Sequence, residues 1–150
     1  VIDEQVRPAT HHDADDLRQL ELEARRTLLD QRGGPQLLAE QPAIGDWVAV
    51  VQRDDRAVFV GTIDDVVVGY LELGIHGPAA VVHQAYVHPE ARELGLGDDM
   101  LAAATAVARA RGCSVIEGTA LPGDRNTKNL YERAGIVARK ITVSKSLLLG

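Results

Sequence analysis

The sequence predicts one α/β domain built on a mixed central sheet, and three observations predict it. Residues 57–63, 66–73 and 79–87 are strand-like runs joined by tight turns at Asp64-Asp65 and Gly77-Pro78, which makes three consecutive antiparallel strands. A glycine-spaced turn around Gly95 and Gly97 then opens a helix with Met100, Leu101, Ala104, Val107 and Ala108 on one face. Beyond the helix stop Arg111-Gly112, the apolar run from Val115 to Leu121 must lie parallel to the 79–87 strand, because such a crossover closes right-handed.

The remaining elements follow in order. Val6 to Ala9 reads as a short strand. Thr10 and Asp13 have the spacing of a capping box, and the helix they open carries Leu17, Leu20, Ala24 and Leu28 on one face. Gly33-Gly34-Pro35 ends that helix, and Gln36 to Glu40 forms a short second one. Residues 41–56 give no clear period; Trp47 to Val51 fits a helix end or a strand. Pro122-Gly123 leads into a helix from Arg125 to Ala134, closed by Gly135. Val137, Arg139, Ile141 and Val143 alternate with Ala138, Lys140, Thr142 and Ser144, which predicts a half-buried final strand. About four helices therefore flank the sheet.

A chain of 150 residues is long enough to bury a sizeable core as a single domain, 1–150. Aromatic residues make up only 3%, so Val, Leu and Ala must fill that core. The single cysteine, Cys113, precludes an internal disulfide and suits a core position; a reducing, cytoplasmic setting is expected. No apolar run approaches a membrane span, and no membrane partner is expected. The net charge of −6 disfavours nucleic acid as a partner and suits a cationic amine. His11 and His12 fall in a first helical turn without further ligands at helical spacing, so no metal is expected.

The glycine turn carries the chemistry. The first turn of a helix leaves backbone N–H groups without partners and bears the positive end of the macrodipole. Gly95 and Gly97 lack a Cβ, so an anion can approach those groups closely. A dinucleotide fingerprint is excluded: Met100 stands where its third glycine belongs, and several residues separate Pro89 from Gly95, although Glu117 lies at a suitable distance for a ribose ligand.

Arg92-Glu93-Leu94-Gly95-Leu96-Gly97, a few residues beyond the strand end at Val87-His88-Pro89, resembles the acyl-CoA signature of the GCN5-related N-acetyltransferase (GNAT) superfamily. The segment Asn126 to Gly135, with Tyr131-Glu132 before the glycine, resembles the second signature of that family, and the order of elements matches along nearly the whole chain. The resemblance implies a sheet whose two parallel central strands splay around an acyl-CoA cleft. It also implies acetyl-CoA (coenzyme A) as the acyl donor and direct attack by a primary amine in a ternary complex. The residues implied to bind the cofactor are Ala85, Tyr86, Val87, Arg92, Glu93, Leu94, Gly95, Leu96, Gly97, Asp98 and Asn126. Among these, Ala85 is implied to offer a backbone N–H to the thioester oxygen, and Val87 to pair with the pantetheine arm as an added strand.

Tyr131 is the implied general acid for the departing thiolate, since an ordinary phenol is protonated at neutral pH. A packed core tyrosine is the competing reading. For the base, His83 matches a position used by the arylalkylamine branch, and alternation places it on the strand face of Ala85 and Val87; Glu72 on the neighbouring strand is the second candidate. Each is equally readable as a solvated strand residue. Asp124 stands where the family usually has an asparagine, and Asn126 is the nearby substitute. Asp98 and Asp99 repel the phosphates that the loop amides attract, with Arg92, Arg125 or Lys128 as compensation.

Two rival readings remain: a catalytically silent acyl-CoA-binding or regulatory module, and an α/β domain whose glycines are purely structural. The acceptor, whether polyamine, amino acid, aminoglycoside-like drug or protein amine, carries no readable motif. The family usually continues past the final strand, so a homodimer that covers the last sheet edge is a further expectation.

Overall fold

The computed structural model describes residues 1–148. Five strands, β1 (Glu4–Pro8), β2 (Arg56–Ile63), β3 (Val66–His76), β4 (Ala79–Val87) and β5 (Val115–Gly118), form one sheet in sequence order. The first four are antiparallel and β5 pairs parallel to β4. The β2–β3 turn is as short as expected because Asp64 and Asp65 both adopt positive φ, 48° and 68°, the backbone a two-residue hairpin with matched twist requires.

Helices α1 (Ala14–Leu28) and α3 (Trp47–Val51) cover one face of the sheet, with α2 (Gly34–Glu40) packed against α1; α4 (Leu96–Ala110) covers the other face, with α5 (Arg125–Arg133) beside it. Leu17 and Leu20 of α1 pack with Trp47, Val58, Val60 and Tyr70, and Trp47 meets Tyr70 edge-on at 5.5 Å. Met100, Leu101, Ala104 and Ala108 of α4 pack on Phe59, Leu71, Leu73 and Val82. The capping box forms: Asp13 Oδ2 accepts from the Thr10 N–H at 2.8 Å, and the Thr10 hydroxyl oxygen accepts from the His12 N–H at 3.3 Å. Arg7 on β1 grips the same carboxylate with two 2.8 Å bonds, so one acid ties the first strand to the first helix and its pKa falls. Among the described residues, no helix is long and apolar enough to cross a membrane.

Three expectations require correction. The segment 41–56 contains α3, capped by Asp46 accepting from the Ala49 N–H, so five helices flank the sheet rather than about four. β5 ends at Gly118, not Leu121. Residues 137–144 form no strand: Ile141 and Val143, which the alternation marks as inward, are 81% and 87% exposed. Alternation signals a buried face only when a neighbouring strand supplies the ladder, and among the described residues none pairs with this segment.

The short β5 creates the site. It pairs with β4 only from Ala79 to Val82, so β4 continues for five more residues that are paired with β3 on one side and with no strand on the β5 side. At that point β4 also carries an extra residue: Glu72 opposes Gln84 and Leu73 opposes Val82, leaving His83 as a bulge.

Candidate active site

A cavity of about 700 Å³ opens beside the stretch of β4 that extends past β5. Its walls are the α1–α2 pair, the loop 89–95, the N-terminus of α4, and α5 with the segment that follows β5. Of the residues expected to bind a cofactor, Ala85, Tyr86, Val87, Arg92, Glu93, Gly95, Leu96, Gly97, Asp98 and Asn126 all line it. Leu94 is not among the lining residues.

The loop is built by backbone conformation. Pro89–Ala91 makes a short 3-10 turn, held by the His88 Nδ1 accepting from the Glu90 N–H. Arg92 turns its Nε–H back to the Val87 carbonyl at 3.0 Å and lies over the Tyr86 ring. Glu93 and Gly95 both take positive φ, 74° and 81°, and α4 starts at Leu96. The first helical N–H with a partner is that of Asp99, which donates to the Gly95 carbonyl at 3.0 Å. The preceding N–H groups of residues 93–98 have no acceptor among the described residues. Leu96 itself is buried, its side chain against Gly61, so only its main chain serves the loop. A Cβ added at Gly97 would meet nothing closer than Leu130 Cδ1 at 3.5 Å, so the protein's own packing does not demand glycine there.

On the opposite wall, α5 presents Tyr131. Its hydroxyl lies against the last residue of β5, so tightly that a Cβ on Gly118 would overlap the phenol oxygen. The ring packs in the core of the α4 face, yet the residue also lines the cavity, so a packed ring and a place on the cavity wall are compatible. Burial, with the nearby Asp124 carboxylate, pushes its pKa up to about 12. The phenol therefore stays protonated and available as a donor. Asp124 is the N-cap of α5, accepting from the Thr127 N–H at 3.1 Å and from the Thr127 hydroxyl at 2.7 Å. An asparagine would cap the helix as well, so this duty does not by itself account for the aspartate; Asn126 also lies on the cavity wall.

The two candidate bases part company. His83 lines the cavity, but the bulge breaks the alternation: its ring sits over Gly74 with His76, on the α1 face, whereas Ala85 and Val87 pack toward α4. The Nε2 atoms of His83 and His76 are 2.9 Å apart. Burial, then Arg56 and His76, lower the His83 pKa, which favours the neutral imidazole. Glu72 is buried outside the cavity, paired with Arg56 Nε at 3.2 Å. Burial dominates its titration, partly offset by Arg56, and raises its pKa to about 7.

A family model for the GNAT acetyltransferase family matches residues 14–136. This chain belongs to the GNAT acetyltransferase family. Solved structures agree in fold. The aminoglycoside acetyltransferase AAC(6′)-Iy, solved with a bisubstrate analogue of CoA and acetylneamine, superposes with a TM-score of 0.69 at 19% identity, covering 96% of this chain and 99% of that one. The Bacillus halodurans protein BH1408, as a tetramutant, gives 0.74 at 16% identity over 95% and 99%. A ribosomal-protein-alanine N-acetyltransferase from Brucella melitensis gives 0.68 at 18% identity over 97% and 99%. No curated protein sequence matches this chain.

Some features of this GNAT site have no local sequence signal. Arg133 on α5 pairs with Asp98 at 2.9 Å, so the compensation sought from Arg92, Arg125 or Lys128 comes from a residue 35 positions away. The floor of the cavity is held by a buried chain: Tyr70 donates to Gln84 Oε1 at 2.6 Å, and Gln84 Nε2 donates to Glu21 Oε2 at 2.7 Å. Glu21 also accepts from the Ile44 N–H at 3.1 and 3.2 Å. The only hint of this in the chain is a glutamate on the apolar face of α1, beside Leu17 and Leu20.

Proposed function

We propose that this GNAT protein transfers the acetyl group of acetyl-CoA to a primary amine by direct attack within a ternary complex. The observation that carries this reading is the stretch of β4 left open on its β5 side, followed by six main-chain N–H groups of residues 93–98 with no acceptor among the described residues, with a protonated phenol across the gap. Those amides, at a helix N-terminus, suit a diphosphate. The free β4 edge suits a peptide-like arm, with the Ala85 N–H offered to a carbonyl oxygen and Val87 pairing as a neighbouring strand would. When bound, acetyl-CoA supplies an activated acyl carbon. A new C–N bond forms as the C–S bond breaks. Tyr131 donates the proton that leaves a neutral thiol. His83, neutral and lining the cavity, takes a proton from the incoming amine directly or through water. Glu72, buried against Arg56 and off the cavity wall, is the weaker base.

Thermal unfolding with CoA, acetyl-CoA and NAD tests the donor. At a hundredfold excess over its dissociation constant, a bound ligand adds about 2.7 kcal/mol. A shift with the CoA species alone is the expected result, and a shift with NAD alone refutes the reading. Tyr131→Phe then separates an enzyme from a silent CoA-binding module, since only an enzyme has turnover to lose.

A further inference from the structure

The two lobes of the cavity differ in chemistry. Its carboxylates, Glu93, Asp98 and Asp124, all belong to the loop, α4 or α5, and the last two are committed to Arg133 and Thr127. The wall supplied by α1, α2 and the residues at their ends holds no carboxylate among the described residues; Ala24, Leu28, Leu37 and Leu38, half-buried along it, share it with Thr27, Gln31 and Gln41. Against this wall lies Arg25, also half-buried. Its guanidinium donates to the Gln41 carbonyl at 2.6 Å and the Leu38 carbonyl at 3.3 Å. Among the described residues, no carboxylate lies within ion-pair distance of it. Glu21, one turn earlier on α1, is turned onto Ile44 and Gln84. A guanidinium has five N–H donors in a planar fork, so two carbonyls leave donors to spare. A partly desolvated cation without a counter-charge is unfavourable, and the partner that best matches the fork is a carboxylate.

We propose that the acceptor is an amine that also carries a carboxylate and an apolar side chain, an α-amino acid of the leucine or methionine kind. Arg25 holds the carboxylate, and Leu28, Leu37 and Leu38 receive the side chain. This rests on the transferase reading above. A polycation such as a polyamine or an amino sugar needs the opposite lining, carboxylates on the α1–α2 wall, and would meet Arg25 there instead.

The test pairs two readouts on the full chain: calorimetric binding of acceptors to the CoA-loaded protein, and thiol release from acetyl-CoA. The panel is leucine, methionine, leucinamide, spermidine and kanamycin. Leucine and methionine are expected to bind, and to turn over with kcat/KM at least tenfold above the other three. Arg25→Gln should raise the KM for leucine tenfold or more, leave the KM for acetyl-CoA within twofold, and erase the preference for leucine over leucinamide. Arg25→Lys, which keeps the charge, should retain that preference. Better turnover of spermidine or kanamycin, or an equal loss for leucine and leucinamide in Arg25→Gln, overturns the proposal. Leucine binding without turnover upholds the pocket and sinks the transferase reading. Polycation turnover without leucine binding does the reverse.

Discussion

The loop side of the cavity and the α1–α2 side are built on opposite principles. The loop side is made of main-chain groups: Glu93 and Gly95 take positive φ, the N–H groups of residues 93–98 have no acceptor among the described residues, and Gly97 leaves room beside them. The α1–α2 side works through side chains, with Arg25 on two carbonyls and Glu21, Gln84 and Tyr70 linked in one buried chain. A backbone device leaves a glycine pattern in the sequence. A side-chain device assembled from three elements leaves only isolated polar residues on apolar faces.

That contrast can be broken experimentally, and the sharpest blow falls on the loop. Gly97→Val places two methyl groups where an anion approaches, while the surrounding protein leaves room for the Cβ. Its thermal stability should stay within about 1 kcal/mol of wild type, yet the stabilisation by CoA should vanish. A full CoA shift in this variant would show that the amides are not the grip. Next comes the wall opposite: Tyr131→Phe should lower kcat roughly 10²-fold or more, the usual reach of a positioned acid, with the CoA dissociation constant within twofold.

Glu72 gives a pH signature that belongs to the sheet rather than to either lobe. Its folded pKa, about 7, lies above the ordinary glutamate value of 4.5 because burial disfavours the anion. The folded state therefore holds the proton more tightly than the unfolded chain does. The resulting stability is complete below about pH 4.5 and is lost as pH rises toward 7. The loss is on the order of 3 kcal/mol, and the pull of Arg56 is already contained in that folded pKa. Denaturant titrations of wild type and Glu72→Gln between pH 4 and 8 should diverge across that window; parallel curves would show that the carboxyl is not perturbed.

A smaller effect is expected on the α1–α2 side. Glu21→Ala leaves the Ile44 N–H and the Gln84 amide without their acceptor, at a cost of about 1–3 kcal/mol. Acceptor KM should rise while CoA affinity holds, a split that equilibrium unfolding and two-substrate kinetics resolve together. Smallest of all, Ile141→Ser should change stability by less than about 0.5 kcal/mol, because this side chain is already in solvent. A large loss would mean that residues 137–144 do find a strand partner in solution.

Most of the framework was legible in the chain because its signals are local. The Asp64-Asp65 turn, the capping box at Thr10, the helix stop at Gly112 and the glycine loop are each short-range arrangements whose physics is complete within a few residues. The order of strands followed from turn length and from the handedness of one crossover. Where the reading failed, the deciding neighbour was distant. Residues 137–144 have the right alternation and no partner strand, and α3 was obscured because Trp47 answers to Tyr70 rather than to its own segment.

The sequence alone determined the parts whose free energy is settled by neighbours along the chain: the turns, the caps, the amphipathic faces and the glycines that free the loop amides. Only the tertiary structure decided that β5 stops at Gly118, that the bulge turns His83 to the α1 face beside His76, and that Arg133 neutralises Asp98. It also decided which of Glu72 and His83 reaches the cavity. These outcomes depend on pairing and burial between segments far apart in sequence, and a side chain's charge, exposure and facing are set by whichever element packs against it.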